Sequence, residues 1–167
     1  GSVDNLKIDG SIHVSNAASD MKVGGIAAEV STGTGITVTK VSATENITVD
    51  VPKTAQMAVG GLYGWFVSGG GDGLVLGSTI AKNQTEVPQD KHTDVAVNIE
   101  IKNSSNATDD TKIFAGSVIG LGNGGGFKLQ CNDLIIGGSI SSDAKKNAHV
   151  GGVIGVIEKG NGDHWME

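Results

Sequence analysis

Carboxylates, imidazoles and a thiol are the groups that could do chemistry in this chain, and their spacing argues against it. Asp109-Asp110 is the only adjacent carboxylate pair. Sugar hydrolysis needs two carboxyls flanking one scissile bond. This pair instead lies beside the polar run Asn103-Ser104-Ser105-Asn106-Ala107-Thr108, which reads as a solvated loop. The histidines His13, His92, His149 and His164 form no HxH or HExxH spacing, so no zinc site is expected. There is no GxSxG nucleophile elbow. The glycines of 120–126 are followed by no lysine in P-loop position, so they read as a turn. Cys131 is the only cysteine; no intramolecular disulfide is possible, and it reads as a small buried hydrophobe. The expectation is a protein that is not an enzyme and has no cofactor.

Two weaker constellations remain. Gly69-Gly70-Gly71-Asp72-Gly73 and Gly160-Asn161-Gly162-Asp163 resemble glycine-aspartate turns that hold calcium. A structural Ca²⁺ at Asp72 and Asp163 is the metal reading, and plain turns are the alternative, because Asp does not recur at short regular spacing. Tyr63 and Trp65 are two residues apart, so on a strand they point the same way and a sugar ring could stack on them. The competing reading is that both fill an apolar layer. Four N-x-S/T sequons, headed by Asn46, Asn83, Asn103 and Asn106, carry little weight if the source is bacterial.

The net charge is −6, and all twelve basic residues are lysines. Without arginine or a basic stripe, nucleic-acid binding is not expected. The apolar runs are short and broken by glycine, so no membrane insertion is expected. Aromatics make up only 4%, leaving Val, Ile, Leu and Ala to build the core. No useful helical period appears.

The elements that must carry these residues are set by a four-fold repeat. Val23-Gly24-Gly25-Ile26-Ala27-Ala28 returns as Val59-Gly60-Gly61-Leu62-Tyr63-Gly64, as Ala115-Gly116-Ser117-Val118-Ile119-Gly120 and as Val150-Gly151-Gly152-Val153-Ile154-Gly155. The first glycines are 36, 56 and 35 residues apart, a period typical of stacked arrays. Upstream of each motif is a β-branched run: Ser11–Val14, Ile47–Val49, Ile99–Ile101 and Ser139–Ser141. Downstream is a glycine-rich turn, and in three units a further run follows. The long step is explained by extra polar residues around Lys82–Asp94 and Asn103–Lys112.

The expected fold is all-β: a right-handed parallel β-helix of about four coils with one inserted loop region. A β-sandwich is the alternative. The units are about 3–35, 36–73, 74–126 and 127–163, forming a single domain over 3–167 after a two-residue expression scar at 1–2. The chain reads as a fragment of something longer. Gly24, Gly25, Gly60, Gly61, Gly116, Gly151 and Gly152 are expected to be structural, at corners needing positive φ and in a small-residue ladder. The runs 23–30, 59–66, 115–122 and 150–157 are expected as single strands, apolar on both faces. Such a layer is either covered, by the third unit's insertion or a neighbouring domain, or is a binding surface.

Val59–Gly64 and Val150–Gly155, with the glycine turns and Ile/Val runs around them, resemble the GLUG-type repeats of bacterial secreted and surface proteins. Ala115–Gly120 is looser, with Ser117 for the second glycine, and the first copy ends in Ala27-Ala28. The resemblance covers roughly residues 5–163. It implies a β-helical segment of an extracellular bacterial adhesin, stalk or large secreted enzyme, and it transfers no catalytic residues. The function expected is a structural or adhesive repeat domain at the bacterial cell surface. A glycan-binding module using Tyr63 and Trp65 is the alternative, and a polysaccharide-degrading fragment ranks below it. Expected partners are neighbouring repeats or domains of the same protein, a host or plant glycan, or a surface protein.

Overall fold

The structure, a computed structural model, describes residues 1–15, 20–50, 56–68, 73–77, 92–102, 111–125, 127–132, 134–143 and 147–158, and the backbone of 165–166. The protein is all-β. Its strands are β1 (Ser2–Val14), β2 (Met21–Gly24), β3 (Ala27–Thr32), β4 (Ile36–Asp50), β5 (Gln56–Gly60), β6 (Tyr63–Ser68), β7 (Leu74–Leu76), β8 (Thr93–Lys102), β9 (Lys112–Gly116), β10 (Ile119–Gly124), β11 (Lys128–Cys131), β12 (Leu134–Ser142), β13 (Ala148–Gly151), β14 (Ile154–Ile157) and β15 (Trp165–Met166).

Every strand pairing among the described residues is parallel. Three sheets result. One is built on the long strands, in the order β12-β8-β4-β7-β11-β15 with β1 also on β4. The two others are four-stranded, β13-β9-β5-β2 and β14-β10-β6-β3. The chain visits long sheet, first short sheet and second short sheet in turn, and then returns to the long sheet. Equivalent repeat positions therefore lie side by side: Val23, Val59, Ala115 and Val150 share one row.

β4 runs unbroken through fifteen residues where two separate runs are expected. It bends rather than breaks. Val38 and Val41 are both buried although three apart, because Lys40 between them takes φ 53°. Asn5 takes φ 56° at the equivalent point of β1, so both long strands turn a corner there. The third unit opens at the same corner. β7 pairs with Ile36–Val38 and β8 with Ser42–Asp50. Most of the expected insertion, 78–91, and also 103–110, lie outside the described residues. Beyond it, β8 alternates buried and exposed residues along its whole length, as a half-buried strand should.

The glycine motifs divide runs expected to be single strands. Each sits at a corner between the two short sheets, so 23–30 and its equivalents are two strands and not one. None of the seven motif glycines has positive φ; among the described residues the glycines that do are Gly10, Gly77, Gly124 and Gly138. The motif glycines are needed for close approach instead. A Cβ on Gly24 would come within 2.6 Å of Gly64 N, and one on Gly116 within 2.7 Å of Gly155 N. A Cβ on Gly25 would run into Gly61 O and the Glu45 carboxylate, and one on Gly60 or Gly151 into the carbonyl of Tyr63 or Ile154. Gly152 is the exception: nothing lies within 4 Å of the Cβ it lacks.

This close approach answers the question of the doubly apolar layer. The main core joins Val38, Ile47, Val49, Met57, Val59, Phe66, Leu76, Ile99, Ile113 and Phe127. A second, smaller cluster of Ala58, Phe114 and Leu121, with Trp65 and Val156, lies between the facing short sheets. The expected cover was the insertion or a neighbouring domain. Among the described residues, the chain's own two short sheets supply it by packing on each other.

Candidate functional site

Tyr63 and Trp65 do not form an exposed stacking platform. Tyr63 is 1% exposed and belongs to the main core, edge-on to Phe66 at 5.5 Å. Its burial raises the phenol pKa to about 12. Trp65 is half-buried in the second cluster. Lys22 Nζ lies 4.3 Å from its ring centroid and is held there by Glu29 at 2.5 Å. The reason is the corner. Residue 63 is the first of its strand and turns toward the core, whereas residue 65 faces the opposing short sheet. On the ring face where Lys22 sits, a sugar could stack only after displacing that ammonium.

Asp72 and Asp163, the calcium candidates, lie outside the described residues, as do Asp109-Asp110 and His164. No group of three or more His, Cys, Asp or Glu side chains among the described residues could hold a metal. His149 stacks loosely on Phe114, with ring centroids 5.5 Å apart. Cys131 is half-buried against the core, and burial pushes its thiol pKa up.

The surface best placed to meet a ligand is the outer face of the long sheet. β1, β4, β8 and β12 lie parallel there, and their outward residues are mostly polar, Ile135 and Ala96 excepted: Ser11, Asn46, Asn98 and Ser139 form one row. Asn98 Nδ2 donates to Asn46 Oδ1 at 3.0 Å, and Ser139 Oγ donates to Asn98 Oδ1 at 3.1 Å. Thr44, Thr48, Glu100 and Lys102 flank this row. Nine paired residues by four strands make a face of about 30 Å by about 14 Å. It offers hydroxyl, amide and a few charged groups, which suits hydrogen bonding to a polar polymer. A shallow depression of about 190 Å³ lies at its end, lined by Glu100, Lys102, Ser141 and Asp143 among others.

Sequence reasoning passed over this face although its signal was present. Each β-branched run is preceded or begun by Ser or Asn: Ser11-Ile12, Asn46-Ile47, Asn98-Ile99, Ser139-Ile140. The ladder's contribution to stability should be small, because its members are exposed. Asn98→Ala is expected to cost about 0.5–1.5 kcal/mol, the worth of ordinary hydrogen bonds. Urea unfolding of the variant beside wild type checks this, and a change in m as well as midpoint would show that the strand itself had been disturbed.

One buried residue has no obvious place in the core. Glu45 points inward, is 5% exposed, and its Oε2 has no hydrogen-bond partner. Desolvation raises its carboxyl above the ordinary value of 4.5. Its row reads Gly10, Glu45, Val97, Gly138, so the residues beside it carry no charge.

Compared with known proteins, the chain matches no family model, no curated protein and no solved structure.

Proposed function

We propose that this chain is a structural and adhesive repeat segment of a bacterial extracellular surface protein, built as a right-handed parallel β-helix of four coils. The observation that carries the reading is the in-register parallel pairing of equivalent repeat positions in all three sheets. Such an array has few long-range dependencies and can lengthen by adding units, which is what a stalk needs. It leaves one broad, flat, polar face on its outside, which is what a weak, extended contact needs. The resemblance to GLUG-type repeats supports the extracellular assignment. Neighbouring repeats of the same protein are the first partners on this reading.

The second reading is glycan binding, favoured by the Asn46–Asn98–Ser139 row rather than by the aromatics. The test is a screen of the chain against glycan arrays and immobilised host or plant surface proteins, beside Asn98→Lys and Trp65→Ala. Binding that Asn98→Lys abolishes and Trp65→Ala preserves supports adhesion through the outer face. Binding lost only in Trp65→Ala returns the site to the short sheets. Absence of binding throughout leaves a passive stalk. Release of reducing ends from any polysaccharide would overturn the non-enzymatic reading.

A further inference from the structure

Two of the glycine corners are built alike, and one of them closes over a carboxyl group. The inward row of the long sheet reads Gly10, Glu45, Val97 and Gly138. At the second corner a Cβ on Gly61 would come within 2.9 Å of Val97 Cγ2. At the first, a Cβ on Gly25 would run into the Glu45 carboxylate. The backbone bonds match. At the second corner Gly61 N donates to Gly116 O at 3.3 Å, and the Leu62 and Tyr63 amides donate to Val118 O at 3.1 and 2.9 Å. At the first, Gly25 N donates to Gly61 O at 3.0 Å, and the Ile26 and Ala27 amides donate to Leu62 O at 2.9 and 3.2 Å. The same turn is thus shut once over an alkyl group and once over an ionisable one.

Nothing at the first corner receives a charge. Glu45 is buried, its Oε2 has no hydrogen-bond partner, and no ion pair among the described residues includes it. The inward residues around it on β1, β2, β4, β5 and β8 are aliphatic, methionine or glycine. Charged groups on these elements face elsewhere. Lys22 of β2 and Glu29 of β3 pair with each other beside Trp65. Lys7, Asp9 and His13 of β1, and Asp94 and Glu100 of β8, are on the outer face of the long sheet. Tyr63 of β6 is the other inward titratable group, and its pKa of about 12 keeps it neutral.

Gly61 O makes the two forms of the carboxyl unequal. It lies 2.6 Å from the point where a Cβ on Gly25 would stand, the same point on which the carboxylate encroaches. An ionised Glu45 sets negative charge beside that carbonyl oxygen, which is also the acceptor holding Gly25 N. A protonated Glu45 is a donor, and a carbonyl oxygen with one lone pair in use can accept a second bond. The closed corner therefore suits the neutral acid and opposes the carboxylate.

We infer that the corner at 24–26 is a proton-operated latch between the first two turns of the array, closed over neutral Glu45 and opened by its ionisation. The inference does not rest on the adhesive reading. Opening breaks the three bonds to Gly61 O and Leu62 O and lets water reach the carboxylate; the corner over Val97 stays shut. The direction with pH follows. Below the ordinary value of 4.5, Glu45 keeps its proton whether the corner is open or closed, and the latch holds. Above it the open form ionises first, so opening gains as pH rises, and the gain ends once the closed form has ionised too.

Amide hydrogen exchange on the whole chain tests this, read as protection factors so that the intrinsic pH dependence of exchange cancels. Between about pH 4 and about pH 8 the Ile26 and Ala27 amides should lose protection, while Leu62 and Tyr63 at the second corner keep theirs. Glu45→Gln keeps the side-chain shape and cannot ionise, so in it both corners should keep their protection. Circular dichroism establishes that the variant folds; should it not, Glu45→Val takes its place with the same expected result. The latch is overturned if Ile26 and Ala27 keep their protection in wild type. It is equally overturned if both corners lose protection together, which is opening of the whole array, or if the loss at Ile26 and Ala27 persists in a folded variant, which assigns it to another group.

Discussion

Gly61→Val should abolish cooperative folding of the array, or lower its stability by about 3 kcal/mol or more. The added Cβ has nowhere to go. It would overlap the carbonyl oxygen of Ser117 in the next turn and come within 2.9 Å of Val97 Cγ2. The first of these is backbone, and the carbonyls on either side of it are held: Gly116 O accepts from Gly61 N at 3.3 Å, and Val118 O accepts from the Leu62 and Tyr63 amides at 3.1 and 2.9 Å, so it cannot step aside alone. The informative comparison is Gly152→Val, at the equivalent position of the last glycine motif. No atom lies within 4 Å of its missing Cβ, and its φ is not in the left-handed region, so its effect on the monomer should stay within about 0.5 kcal/mol. Thermal and urea unfolding of both variants, at a concentration where the chain is monomeric, measures the difference. Equal effects would mean that the corner glycines serve local conformation and not stacking.

Glu45→Val should stabilise the protein at neutral pH by about 1–3 kcal/mol, the cost of leaving a buried polar group unpaired. At the scale of this chain that is about 2–4 °C in Tm per kcal/mol. The row itself supplies the precedent, since Val97 occupies the next position without strain. The sign with pH follows from the raised carboxyl pKa. Below the ordinary value near 4.5 the group is protonated in both folded and unfolded chains, and nothing is lost. As pH rises through the folded value, the unfolded chain releases the proton more readily and stability falls. Wild type should therefore lose stability on going from acid toward neutral pH, and Glu45→Val should lack that component. Glu45→Gln separates charge from shape: it removes the titration and keeps the side-chain volume. Parallel pH profiles for wild type and Glu45→Gln would show that some other group is responsible.

Much of this architecture was open to inspection in the residues. The return of the glycine motif at steps of 36, 56 and 35, as Ala-Gly-Ser in the third copy and Val-Gly-Gly in the others, with β-branched runs before it and glycine turns after, announced stacked parallel strands. The physical reason is that stacking places equivalent residues against one another, so the demands of one turn are written again in the next. Even the outer polar row was present as Ser or Asn before Ile in all four units. At six of the seven corner glycines a Cβ would meet backbone, and at Gly152 it would not; positive φ is the cause at none of them. Positive φ leaves glycine in the sequence just as close backbone approach does, and the letter is the same for both.

What the sequence by itself determined is therefore the repeat: that the chain is built of β-strand residues and which positions recur, but not where one strand ends and the next begins. Those properties are local or periodic, and each is set by side-chain shape and backbone freedom. Which surfaces meet was decided only in three dimensions. A run such as Val59–Phe66 is apolar on both faces, and that says it must be covered without saying by what. The bend at Gly61-Leu62 divides it into β5 and β6, and the two short sheets then close on each other around Ala58, Phe114 and Leu121. That closure takes Tyr63 into the core, leaves Trp65 under Lys22, and hands the outside to the polar face of the long sheet. A two-residue alternation fixes the direction of a side chain relative to its neighbours in the strand; a corner of two residues resets that direction, and only the packing across it fixes where the side chain ends.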